Sequence, residues 1–204
     1  MEEKKLEIME RASAVYMKYG IKSVTMDDLS RELGMSKKTV YKYFNDKTDI
    51  VNSIIQFKLE MDTALCVNCQ QNSENAIDDL ISVSRQVIEN IGNINPAVFY
   101  DLKRFYPEAW RIMQDHKWGF VLNMTRENIA RGKKEGIYRE DLDNEVVARI
   151  YVGITDIILN GDVFPWPEFK FESVFREFIN FQIRGMANEK GIKYLQKTFS
   201  NEMD

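Results

Sequence analysis

The 204-residue chain is poor in cysteine, histidine and proline, with two, one and four of each, and every scarcity narrows what it can be. Two cysteines cannot lace a disulfide framework, and with a single histidine beside them a zinc site would lack ligands. All four prolines fall between Pro96 and Pro167, so nothing of that kind interrupts a helix before residue 96. No stretch approaches the roughly 20 apolar residues of a spanning helix, and the opening Met-Glu-Glu-Lys-Lys begins a mixed-charge amphipathic pattern rather than a signal peptide. A cytoplasmic chain with no membrane association is therefore expected. Also missing are G-x-S-x-G, a phosphate-cradling glycine loop, paired histidines and a nucleophile-base set, so no catalytic residue, metal or cofactor is expected.

What is present is a 44% hydrophobic chain, able to bury a core unaided, with a net charge of -4 that hides local asymmetry. Between residues 31 and 47, Arg31, Lys37, Lys38, Lys42 and Lys47 stand against only Glu32 and Asp46. A basic island in an acidic chain is the electrostatic footprint of an anionic partner, although a merely solvated face is nearly as common. Cys66 and Cys69 lie one helical turn apart. Helix packing is the simplest reading of that spacing, with redox sensing and metal binding as alternatives.

Apolar residues recur at three and four throughout, and strand-like alternation is scarce, which predicts an all-α fold of about nine or ten helices. A first helix presents Leu6, Met9, Ala12, Tyr16 and Tyr19 and stops at Gly20. A second, capped by Thr25 with Asp28 three residues on, runs to Leu33. Gly34 turns the chain, Ser36 caps a third short helix, and Asp46 caps a long fourth that ends before the polar run Gln70–Asn75. Further helices are expected over 76–92, from Pro96, over 108–134, over 143–160, over 171–186 and over 189–199, with a loop at 161–169 containing Pro165-Trp166-Pro167. The domain boundary is placed at residue 50, giving a 1–50 helix-turn-helix domain and a larger helical domain over 51–204.

Thr25 to Lys47 is the informative stretch. Two short helices joined by a tight glycine turn cross steeply, so that Leu29, Leu33, Met35, Val40 and Phe44 converge on a small core while the second helix projects. Its first turn carries Lys37, Lys38 and Thr39, which suit base edges and phosphates in a major groove. Tyr41 and Tyr43 offer hydroxyls to phosphate, and Lys47 adds charge at the start of the fourth helix. With the cap Ser36 and with Lys42 these residues form the expected DNA-binding set.

The segments Thr25-Met26-Asp27-Asp28-Leu29 and Gly34-Met35-Ser36-Lys37-Lys38-Thr39-Val40-Tyr41-Lys42-Tyr43-Phe44, with Lys47 and Ile50 after them and Tyr19-Gly20 before, resemble the tetracycline-repressor (TetR) family of bacterial regulators over about residues 5 to 55. The resemblance implies an N-terminal DNA-binding domain, a C-terminal domain for dimerisation and ligand binding, and repression relieved by a small effector. It places phosphate contacts on Thr25, Tyr41, Tyr43 and Lys47, and base-facing positions on Lys37, Lys38 and Thr39. Tyr43, where members have histidine, and Ser30, where alanine is usual, are mild departures.

Aromatics gather between Phe99 and Phe120, and core packing explains most of them. An effector pocket, if built here, takes its wall from Trp110, Met113, Lys117, Phe120 and Met124 on one helix and Tyr151, Ile154, Thr155 and Ile158 on the next. The helices from Asp143 and Phe171 are apolar over more than one stripe, which predicts a homodimer through these last long helices, with full burial inside one subunit as the alternative. The expected partners are thus a double-stranded DNA operator, a second copy and an unidentified small-molecule effector. The rival functions are a helical interaction or sensor protein of the same fold without DNA binding, and an enzyme.

Overall fold

The computed structural model describes residues 2–200 apart from Asn93, Gly161 and Trp166, so Trp166 of the expected 161–169 loop lies outside the described residues. Among the described residues there are eleven α-helices, an isolated bridge between Tyr138 and Ala187, and no helix long and apolar enough to cross a membrane. The chain forms two compact units, Met1–Asp62 with Asn93–His116, and Thr63–Gly92 with Lys117–Asp204. The boundary expected at residue 50 falls inside a helix, and a later segment joins the N-terminal unit.

The first unit holds α1 (Glu2–Tyr19), α2 (Met26–Leu33), α3 (Lys37–Val40), the start of α4 (Lys47–Asn72), α6 (Ala97–Phe105) and α7 (Pro107–His116). Its core is Ile8, Ala12, Tyr16, Leu29, Leu33, Val40, Phe44, Ile50 and Ile54, joined by Val98, Leu102 and Ala109 from the later helices. On α1 the buried face is Ile8, Ala12 and Tyr16, spaced four apart. Of the expected face, Ala12 and Tyr16 are buried, whereas Leu6 and Met9 are only half-buried and Tyr19 is 49% exposed, and Ile8 completes the buried stripe instead. The chain leaves α2 through Gly34, whose φ of +64° is cheap for glycine and strained for other residues. Asp46 Oδ1 accepts the Asp49 N–H at 2.8 Å and so caps α4.

The second unit holds α5 (Ala76–Ile91), α8 (Leu122–Lys134), α9 (Asn144–Asn160), α10 (Phe171–Met186), α11 (Glu189–Ser200) and the end of α4. Ile77, Ile129, Tyr138, Val152, Ile183 and Leu195 are among its most deeply buried apolar side chains. One polar knot lies among them: Asn128 Nδ2 donates to Ala76 O at 2.9 Å and to Asp79 Oδ2 at 2.7 Å, while the Tyr138 hydroxyl donates to Asn128 Oδ1 at 3.2 Å. Asp79 Oδ1 is buried without a partner, and burial pushes its carboxyl above the ordinary carboxylate range.

Two elements differ from expectation. α4 continues to Asn72, through part of the polar run read as a break. Polarity alone does not end a helix; here Asn72 Nδ2 bonds Asn68 O within it, and Asn75 is the cap of the next, its Oδ1 accepting from Ile77 N and Asp78 N. The helix expected over 108–134 is α7 and α8 with a π-helical segment, Lys117–Val121, between them.

Candidate nucleic-acid interface

The projecting element is short and tightly held. Ser36 Oγ accepts the Thr39 N–H at 3.1 Å and pairs with Thr39 Oγ1 at 2.8 Å, which closes the first turn of α3. α3 spans only four residues, but turn hydrogen bonds continue the coil: Tyr41 N to Lys37 O, Tyr43 N to Val40 O, Phe44 N to Val40 O. Val40 and Phe44, four apart, are sunk in the core at 0% and 2% exposure and anchor the inner side. Ser36, Lys37, Lys38, Tyr41 and Lys42 are exposed, and Thr39 and Tyr43 are half-buried. The structure therefore brings the expected outward residues to one short coil whose other side is core; Met35 is half-buried beside it.

α2 supports this coil through its own cap. Thr25 Oγ1 accepts the Asp28 N–H at 3.1 Å, and Asp28 Oδ2 accepts the Thr25 N–H at 3.1 Å and the Thr25 hydroxyl at 2.6 Å. These bonds from Thr25 hold the Asp28 carboxyl below its usual range. Arg11 Nη2 donates to Glu32 O at 3.0 Å and ties α1 to the end of α2. Lys37 Nζ meets Asp27 at 2.6 Å with both side chains well exposed; an exposed pair of this kind is worth at most about 1 kcal/mol, so an arriving phosphate competes with it readily.

Lys47 is placed differently from the outward residues. Its Nζ donates to Ile21 O at 2.6 Å and to Val24 O at 2.5 Å, and lies 5.8 Å from the Tyr16 ring centroid. Burial holds this amine below the usual lysine range. Sequence reasoning missed the side chain that meets the same turn from α6, Asp101, because a carboxylate 79 residues away in the chain carries no local signal.

The expected effector wall is divided. Trp110 and Met113 pack against the core of the first unit, because α7 folds with α6 there. Lys117, Phe120, Met124, Tyr151, Ile154, Thr155 and Ile158 belong to the second unit. Within it Tyr151 and Ile158 are buried, the Tyr151 ring lying 5.2 Å from that of Phe178, and the Thr155 hydroxyl donates to Val152 O at 2.7 Å. Lys117 Nζ pairs with Asp156 at 2.5 Å, while Phe120, Met124 and Ile154 are half-buried. A surface cleft of about 450 Å³ in this unit is lined instead by Glu74, Glu135, Lys190, Lys193, Tyr194 and Lys197. Cys66 and Cys69, not joined in a disulfide, are half-buried on α4, and burial pushes the Cys69 thiol up, away from the thiolate that redox chemistry needs. Among the described residues no group of three or more His, Cys, Asp or Glu side chains is placed to hold a metal.

A capped two-helix unit turning through glycine, with a lysine-bearing outer side and an apolar inner side, defines the class: a helix-turn-helix protein. Residues 8–54 match the model of the bacterial regulatory proteins of the tetR family. Over 109 residues, 52% of this chain and 57% of the relative, the sequence is 27% identical to the HTH-type transcriptional regulator YvaF of Bacillus subtilis, so the match spans just over half of that protein. It is 21% identical to the HTH-type transcriptional repressor KstR2 of Mycobacterium tuberculosis over 70% of this chain and 73% of the relative, and the two folds superpose with a TM-score of 0.62, 20% identity and coverage of 91% and 96%. The regulator FadR of Bacillus subtilis, solved in complex with stearoyl-CoA, superposes with a TM-score of 0.67, 16% identity and coverage of 88% and 98%. The likeness to the tetR family of bacterial regulatory proteins thus lies in residues 8–54, and the solved structures show a shared fold beyond them.

Proposed function

We propose that this protein is a DNA-binding transcriptional repressor that works as a homodimer and is released from its operator by a small-molecule effector. The observation that carries the reading is the coil from Ser36 to Phe44, basic and exposed outside, buried at Val40 and Phe44 inside. Lys37, Lys38 and Thr39 are the proposed base-facing residues, and Thr25, Ser36, Tyr41, Lys42 and Tyr43 the proposed phosphate and flanking contacts. In a dimer two such coils would read half-sites about one DNA turn, roughly 34 Å, apart.

The dimer reading is supported by a stripe of apolar side chains left outside the core of the second unit. Val146, Ile150 and Ile157 on α9 are 46–51% exposed at helical spacing, and Phe181 on α10 is 73% exposed. Apolar side chains grouped on two helices in this way suit a twofold, self-complementary contact. The effector reading is supported by the stearoyl-CoA complex of FadR. In this chain Phe120, Met124 and Ile154, with Lys117 beside them, are the proposed wall, and the shift in DNA affinity can be no larger than the effector's difference in affinity for the two states.

Retention of labelled DNA flanking the protein's own gene tests the reading. The wild type should retain it, and replacing Lys37, Lys38 and Tyr41 together by alanine should abolish retention. Unaltered retention by the triple variant would favour an interaction protein of the same fold.

A further inference from the structure

The turn from Gly20 to Val24 decides where Thr25, and with it α2, begins. It is gripped by two side chains from elsewhere in the first unit. Lys47, at the start of α4, donates to the carbonyls of Ile21 and Val24. Asp101, on α6, accepts the Lys22 N–H through Oδ2 at 2.7 Å. Asp101 is only 6% exposed, and burying a carboxylate is costly unless its oxygens find donors. An amide donating to a carboxylate is among the stronger hydrogen bonds a backbone makes.

The same stretch of chain closes the end of α1. Asn95 donates its backbone N–H to Met17 O at 2.9 Å and its side-chain amide to Lys18 O at 3.3 Å, covering carbonyls that a helix end leaves open. The Lys22 amine lies 4.0 Å from the centroid of the Phe105 ring. Lys47 and Asp101 carry opposite charges around one turn, and the attraction of Asp101 partly offsets what burial costs the Lys47 ammonium. Carbonyls taken by a cation and an amide taken by an anion leave the turn few alternative conformations.

We propose that Asp101 is a positioning residue for DNA binding: acting from α6, and together with Lys47 on α4, it fixes the turn before α2 and thereby the placement of Thr25 and the helix-turn-helix on the duplex. The inference rests on the DNA-binding reading. In this arrangement two of the three Lys47 ammonium hydrogens serve the brace. Base readout tolerates little play in its support, so loosening this turn should weaken selective binding more than general attraction to phosphate.

The test uses the full chain and two duplexes of equal length, one that the wild type enriches from a randomised pool and one of scrambled sequence. Asp101→Ala removes acceptor and charge, Asp101→Asn keeps an acceptor and removes the charge, and Leu102→Ala deletes a neighbouring core side chain that is 1% exposed. Since a hydrogen bond to a charged group is worth enough to change an equilibrium roughly tenfold or more, Asp101→Ala should speed amide exchange at Lys22 by about that factor and lower the selected-to-scrambled affinity ratio about tenfold per folded molecule. Asp101→Asn should fall between it and the wild type. Leu102→Ala should lower the melting temperature yet keep the ratio within about twofold, because its loss is one of core packing. An unchanged ratio in both Asp101 variants, or an equal fall in Leu102→Ala, overturns the proposal. A wild type that enriches no duplex instead overturns the DNA-binding reading, and the proposal with it.

Discussion

Phe181 gives the dimer reading a number. It is 73% exposed on α10, the helix that buries Phe175 and Phe178. A buried phenylalanine removes roughly 150 Å² or more from water, so about 110 Å² of this side chain remains to be covered. At about 25 cal/mol per Å², covering it is worth about 2.7 kcal/mol in each subunit, and a twofold interface uses the residue twice. Ordering and imperfect packing take back a large part, which leaves about 3 kcal/mol, or roughly a hundredfold in the dimer dissociation constant. Phe181→Ala should therefore raise that constant about a hundredfold in sedimentation equilibrium, with the melting temperature of the dissociated chain unchanged. Equal self-association of variant and wild type, or a wild type that sediments as a monomer at tens of micromolar, would refute the assignment of this face.

Three further outcomes follow from packing and charge. Gly132→Ala should destabilise the chain by about 3 kcal/mol in urea denaturation, because its Cβ would lie within the Tyr138 ring, 2.1 Å from the nearest ring carbon. Phe44→Ala should cost about 3–5 kcal/mol and abolish DNA retention, since the ring is 2% exposed beneath the projecting coil. Burial raises the folded pKa of Asp79, so the native state binds a proton more tightly than the unfolded chain does. The contribution of this group to stability is then full below the ordinary carboxyl range and lost as pH rises through the raised value. Relative to Asp79→Asn, the wild type should gain urea stability as the pH is lowered into that window, and parallel profiles would contradict this.

The helix-turn-helix was legible because its signals are local. Thr25 with Asp28, Gly34 and Ser36 each act within three residues, and each makes in the structure the cap or turn its chemistry suggests. The α-helical class and most helix limits were legible for the same reason. Less legible was whatever depends on partners distant in sequence. The face of α1 could not be fixed by periodicity, since Leu6, Ile8, Met9, Tyr16 and Tyr19 permit more than one stripe, and packing chose Ile8, Ala12 and Tyr16. The π-helical segment Lys117–Val121 has no compositional mark. The grouping of residues 93–116 with the N-terminal unit depends on contacts such as Asp101 with Lys22, and it is also why Trp110 and Met113 part from the rest of the expected effector wall.

The central claim, that the coil from Ser36 to Phe44 meets a DNA backbone with its lysines, is tested most directly by the salt dependence of binding to the DNA flanking the protein's own gene. Each phosphate neutralised contributes roughly 0.9 to the slope of log affinity against log salt, so wild-type affinity should fall steeply with ionic strength, and Lys38→Gln with Lys42→Gln should make the slope shallower by about two per subunit. Binding that is indifferent to salt, or a slope that the double substitution leaves unchanged, would contradict the account.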